Sequence, residues 1–164
     1  MSVPTKQPKN KKQQLLDAAL VLFVNQGIYA TSTASIAKTA GVATGTLFHH
    51  FPSKDALVLE LYKNIKQEFA LQIAPFELDA AKLEQQAKVI WQQAIEWALA
   101  NAEQQQFCLL VMQYQPLSAE TKAQIFADEF GFLKEIMLFG QQHKLIANYP
   151  IGLMLESAHG QFLT

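Results

Sequence analysis

The 164-residue chain contains no arginine; all 13 of its basic residues are lysine. Bidentate guanidinium contacts to guanine or phosphate are therefore excluded, and an anionic partner must be met by ammonium groups, imidazoles, hydroxyls or backbone N–H groups. One cysteine, Cys108, excludes an internal disulfide and the multi-cysteine kind of structural zinc site, and makes a reducing cytosol the expected compartment. Between Phe107 and Leu109 that thiol reads as buried and inert. Charged residues make up 16% of the chain against 50% hydrophobic, which excludes disorder throughout and supplies a core for one domain or two small ones. Long apolar runs are missing as well. The longest uncharged stretch, residues 18–37, is apolar only to Val24, so no membrane-spanning helix and no membrane partner are expected. Residues 1–11 are polar and basic without a signal core, and read as a flexible arm carrying Lys6, Lys9 and Lys11, with Lys12 beside it.

Alternating strand patterns are scarce, whereas apolar residues recur at intervals of three and four among Ala, Leu, Gln, Glu and Lys. The fold is expected to be all-α. A first helix spans about Lys12 to Gln26 with Leu15, Ala19, Leu22 and Phe23 on one face, stopped by Gly27. Ser32 or Thr33 caps a second helix carrying Ile36, Ala37 and Ala40, and a short third lies over residues 43–50. Phe51-Pro52 breaks the chain, and Ser53 caps a long connecting helix over residues 53–74 that ends at Pro75. Residues 75–164 read as an antiparallel bundle. Its helices carry Leu83, Ala87, Ile90, Ala94 and Trp97, then Phe107, Leu110, Val111 and Tyr114 up to Pro116. A widely apolar helix from Ser118 follows, with Ile125, Phe132, Ile136 and Phe139 on one stripe and Phe126, Phe130, Leu133 and Met137 beside it. The last helix, from Ile151, has no closing signal, so the expected bundle is truncated at its C-terminal end.

Charge divides along the same line. Up to residue 66 eight lysines face three acids, and beyond it five face eleven, so a net charge of −1 conceals a basic module followed by an acidic one.

Ala37, Gly41 and Leu47 follow helix-turn-helix grammar: a small residue where two helices cross, a glycine for positive φ in the turn, and an apolar residue where the second helix packs back. The wider stretch is more specific. Leu15-Leu16-Asp17-Ala18-Ala19, Leu22-Phe23, Gly27, Ile36-Ala37-Lys38, Ala40-Gly41-Val42, Gly45-Thr46-Leu47-Phe48-His49-His50-Phe51 and Ser53-Lys54 resemble the N-terminal DNA-binding domain of the tetracycline-repressor (TetR) family. The resemblance covers about fifty residues, with residues 12–52 as the helix-turn-helix domain. It implies a homodimeric transcription regulator, most often a repressor, that binds a palindromic operator in double-stranded DNA and is released by a small-molecule effector.

The residues themselves suit that role. A helix over residues 43–50 would enter the major groove, with Thr44 and Thr46 at base edges and thymine methyls, Gly45 letting the backbone come close, and His49 one step on. Phosphate contacts are expected from Ser32, Thr33, His50 and Lys54. Three positions depart from the family pattern: Ala43 stands where a capping Ser or Thr is usual, Thr44 where a basic residue is frequent, and Phe48 where a Tyr commonly reaches a phosphate. Phe48 is expected to pack on a sugar or on the first helix instead. Without arginine, the surface suits A·T-rich or methyl-mediated reading.

Trp91, Trp97, Phe107, Met112, Tyr114, Phe126, Phe130 and Met137 are candidates for an apolar effector pocket, because bundle helices build cores and ligand sites from the same residue types. Adjacent His49 and His50 project about 100° apart on a helix and do not form a metal pair. Glu156 and His159 are the nearest approach to an acid–base pair and read as a surface pair; no nucleophile with a base, phosphate loop or metal cluster accompanies them, so no enzyme activity and no cofactor is expected. Two alternatives remain: a helical small-molecule binder or enzyme that has lost DNA binding, and a nucleoid-type binder without sequence preference.

Overall fold

The computed structural model describes residues 10–73 and 77–162, the side chains of 159–162 excepted. Lys6, Lys9, the break at Pro75 and the Glu156–His159 pair thus lie wholly or partly outside the described residues. Among those described there are eight helices and no strand: α1 (Lys11–Gln26), α2 (Thr33–Thr39), α3 (Thr44–His50), α4 (Lys54–Ile73), α5 (Leu83–Ala100), α6 (Ala102–Met112), α7 (Ala119–Gln142) and α8 (Ile151–Phe162). They form two compact units, residues 10–62 with 106–116, and residues 63–105 with 117–162. The units therefore divide elsewhere than the linear reading at residues 52 and 74 places the boundaries, because the second half of α6 returns to the N-terminal unit.

In that first unit, α1 begins where the Asn10 side chain accepts from the Gln13 N–H at 2.8 Å, and ends where Gly27, at φ +84°, returns its N–H to the Phe23 carbonyl. Lys11 and Lys12 belong to this helix rather than to an arm, and the Lys12 ammonium pairs with Glu60 at 2.5 Å. Leu15, Ala19 and Phe23, four apart, are fully buried, as are Ile36 of α2, Leu47 of α3 and Leu57 and Val58 of α4. Leu22 stays half-buried. Phe107 and Val111 of α6 complete the core, the Phe107 ring stacking on Phe23 at 5.8 Å. Each large side chain so buried adds about 1.5–3 kcal/mol.

Polar contacts fix the connection between α1 and α2. The Lys54 ammonium donates to the carbonyls of Ile28 (2.9 Å), Tyr29 (3.3 Å) and Thr31 (3.1 Å). Thr31, itself buried, donates its hydroxyl to the Gly27 carbonyl at 2.8 Å. After α6, the Tyr114 hydroxyl donates to Asp55 at 2.5 Å, its ring lies 5.0 Å from that of Tyr29, and the Tyr29 oxygen accepts from the Gln115 N–H. Burial and the Asp55 carboxylate both push the Tyr114 phenol well above its ordinary range, so it keeps the proton it donates.

The second unit packs Phe69 of α4 between Trp97 (4.6 Å) and Phe130 (5.4 Å). Along α5, Leu83, Ile90, Ala94 and Trp97 are buried as their spacing predicts, but Ala87 is exposed. Ser118 caps α7 by accepting from the Thr121 N–H. That helix kinks at Phe130 (φ −111°, ψ 20°), and only Ile125, Phe130 and Gly140 are buried along it. The remaining apolar residues of its two stripes are half-buried, so α7 does not receive cover on every side within this chain.

Replacing Lys54 by Met removes three charge-assisted hydrogen bonds and leaves the loop carbonyls to find other donors. Lys54→Met is expected to lower unfolding free energy by about 1.5–3 kcal/mol in urea titration. A loss below about 0.5 kcal/mol would show that the loop does not need the ammonium.

Candidate functional site

The α2–α3 pair is built by short-range geometry. Ile36 and Ala37 bury one face of α2; after Thr39 the Ala40 N–H reaches the Ile36 carbonyl, and Gly41 adopts φ +69°, a left-handed conformation that is costly for a residue with a Cβ. The Val42 N–H then closes on the Ala37 carbonyl at 3.0 Å. Of the seven residues of α3, Leu47 alone is buried. Thr44, Gly45, Phe48 and His49 are exposed, and Thr46 and His50 are half-buried, so the candidate residues of this helix lie on the outer side of the one that anchors it.

Each departure from the family pattern has a visible outcome. Ala43 provides no side-chain hydrogen bond at the start of α3. Phe48 is 48% exposed, so about half of its ring surface is open to an outside contact. A Cβ added at Gly45 would meet nothing within 4 Å, so nothing inside the protein requires a glycine there.

Of the expected phosphate contacts, Ser32 rather than Thr33 caps α2, accepting from the Ser35 N–H at 3.1 Å. Thr33, half-buried, opens the helix, and His50 ends α3 with its ring edge-on to His49 at 5.3 Å. Lys54 is a correction. Its Nζ turns inward onto three loop carbonyls, so the residue read as a phosphate contact instead sets the position of the loop that leads into Ser32. Lys38, exposed in the last turn of α2, is a cation the sequence reading leaves out, since nothing in its local pattern separates it from an ordinary solvated lysine.

The second unit holds a cavity of about 720 Å³ between α5, α7 and the start of α8, lined among others by Leu83, Ile90, Trp91, Leu133, Met137 and Met154. A smaller one of about 90 Å³ is lined by Lys66, Phe69, Phe126 and Phe130 and shares Ile90, Trp91 and Leu133 with the first. Four of the eight pocket candidates are therefore at a cavity wall: Trp91, Phe126, Phe130 and Met137. The other four line neither of these two cavities. Trp97 is buried against Phe69, while Phe107, Met112 and Tyr114 belong to the first unit, where Phe107 and Tyr114 are core and Met112 is exposed. Most of the wall consists of Ala, Leu, Ile and Met, which no aromatic pattern identifies.

A model of bacterial regulatory proteins of the tetR family matches residues 15–61. The repressor KstR2 of Mycolicibacterium smegmatis is 38% identical over 58 residues, covering 35% of this chain and 28% of that protein. The regulator AcrR of Shigella flexneri is 42% identical over 64 residues, or 38% and 30% of the two chains. The matched part of these curated relatives is thus under a third of their length. Likeness at full length comes from a solved structure, a tetR family transcription regulator from Shewanella sp. PV-4, with a TM-score of 0.87 and 44% identity over 94% of this chain and 82% of that one. The fatty acid degradation regulator FadR of Bacillus halodurans shares the fold at 19% identity and a TM-score of 0.80. With 44% identity spanning both units and the helix-turn-helix in its expected place, the chain belongs to the tetR family of bacterial regulatory proteins.

Proposed function

We propose that the chain is a ligand-responsive, homodimeric repressor that reads a palindromic operator with α3. The observation that carries the reading is the division of α3, the second helix of the helix-turn-helix: Leu47 is wholly buried while Thr44, Gly45, Phe48 and His49 stand exposed together. In a major groove, Thr44 and Thr46 supply hydroxyls and methyl groups to base edges, Gly45 admits close backbone approach, and Phe48 and His49 reach sugar or base. Ser32, Thr33 and His50 serve the phosphates, and the lysine surplus of the N-terminal part supplies the salt-sensitive attraction. Two copies must present their α3 helices about 34–36 Å apart to read both half-sites.

A small apolar or aromatic effector in the 720 Å³ cavity would act by preferring a dimer whose α3 spacing no longer fits. Its coupling energy equals that preference for one state over the other.

Footprinting on the DNA upstream of the protein's own gene tests the reading. A protected palindrome is expected, with affinity falling as salt rises; equal affinity for that fragment and random DNA at physiological salt would sink it. Two substitutions in α3 should separate folding from recognition. Gly45→Ala is expected to raise stability by about 0.5–1 kcal/mol, since the helix gains and no neighbour is displaced, yet to weaken operator binding; unchanged affinity would remove Gly45 from the interface. Phe48→Tyr adds a hydroxyl to an exposed ring and is expected to tighten operator binding by about 1 kcal/mol in a gel-shift titration, whereas no change would place that ring away from phosphate.

A further inference from the structure

We propose that DNA binding by α3 is coupled to proton uptake on His49 and His50, so that the chain holds DNA more tightly as pH falls from about 8 to about 6. The proposal rests on the reading of α3 as the DNA-facing helix and adds its regulation by pH. His49 and His50 are the ionisable residues of α3. His49 is exposed and His50 half-buried, with their ring centres 5.3 Å apart. The chain has no arginine and the Lys54 ammonium is turned onto loop carbonyls, so the positive charge that α3 offers to phosphate comes from these two imidazoles.

The surroundings leave the matching negative charge to DNA. Among the described residues of the first unit, the charged side chains outside α3 are Lys11, Lys12 and Asp17 on α1, Lys38 on α2, and Lys54, Asp55 and Glu60 on α4. Each of these acids is engaged elsewhere: Asp17 accepts from the Gln13 amide at 2.8 Å, Asp55 from the Tyr114 hydroxyl and Glu60 from the Lys12 ammonium. Behind His50 stands the Phe51 ring at 6.3 Å, and that ring in turn lies 5.9 Å from the Lys12 ammonium, a cation and not a carboxylate. Tyr29, Tyr62, Tyr114 and Cys108 complete the titratable set. Tyrosine and cysteine ordinarily titrate above the histidine range, and burial pushes Tyr62 and Tyr114 higher still, so they add no anion. Adjacent imidazolium rings repel each other, and a phosphate within hydrogen-bond reach offsets that repulsion, which favours the protonated rings in the complex over the unbound chain.

Fluorescence-anisotropy titration of the whole chain tests this, with the fragment upstream of its own gene and a random duplex of equal length, at about pH 6 and about pH 8 and constant ionic strength. Affinity is expected to be at least about tenfold higher at the lower pH, and calorimetry in two buffers of different ionisation enthalpy should show uptake of about one proton or more per protomer. In a His49→Gln/His50→Gln double variant, which keeps polar side chains without the charge, the ratio between the two pH values should fall below about twofold, and a cooperative thermal melt shows that the variant is folded. If the double variant does not melt cooperatively, the two single variants take its place, each expected to lose part of the ratio. A ratio below about twofold in the unmodified chain, no proton uptake, or a ratio that survives both substitutions overturns the coupling and leaves DNA recognition standing. Equal affinity for the two duplexes overturns the operator reading, with the pH ratio still deciding the role of the histidines, and binding of neither duplex overturns both.

Discussion

The ammonium of Lys54 sits at the first turn of α4 and closes on three consecutive-region carbonyls of the loop between α1 and α2. Those carbonyls belong to a stretch with no helix of its own to satisfy them, and unsatisfied backbone groups are expensive where water is excluded. By meeting them, Lys54 fixes the path from Gly27 to Ser32, and Ser32 in turn caps α2. The placement of α2, and through Gly41 that of α3, follows from that pin. One side chain outside the helix-turn-helix thus holds its entrance in place.

The return of α6 strengthens the same corner. Phe107 and Val111 fill the three-helix core, and Tyr114 ties Asp55 of α4 while its ring meets Tyr29 of the loop. The loop is therefore held from α4 by Lys54 and from the far end of α6 by Tyr114. Both contacts are polar and directional, so they specify position as well as adding stability.

The second unit follows a different constraint. Its aromatic centre of Phe69, Trp97 and Phe130 is dense, but α7 kinks at Phe130, and the residues around the kink border open volume rather than filled core. A bundle that leaves half-buried apolar residues along its longest helix has room to hold something else.

Much of this organisation is legible in the residues. Ser32, Ser53 and Ser118 cap the helices they precede, Gly27 and Gly41 take the left-handed backbone that ends or turns the chain, and the three- and four-residue spacing gives α1, α5 and the buried Leu47. These features depend on neighbours within about four positions, so local sequence is sufficient to encode them. The places of Lys54, Tyr114 and Lys66 do not follow that rule. Lys54 meets carbonyls 23 to 26 residues away and Tyr114 meets a carboxylate 59 residues away, so a lysine read as a phosphate contact becomes a loop pin and a pocket aromatic becomes a tether. Lys66 looks like one more member of a basic half until its helix turns it toward Phe130. Residue type and spacing determined the helices, the turn and the outward face of α3, because those are local; which polar groups were buried, and against what, was decided only when distant segments met.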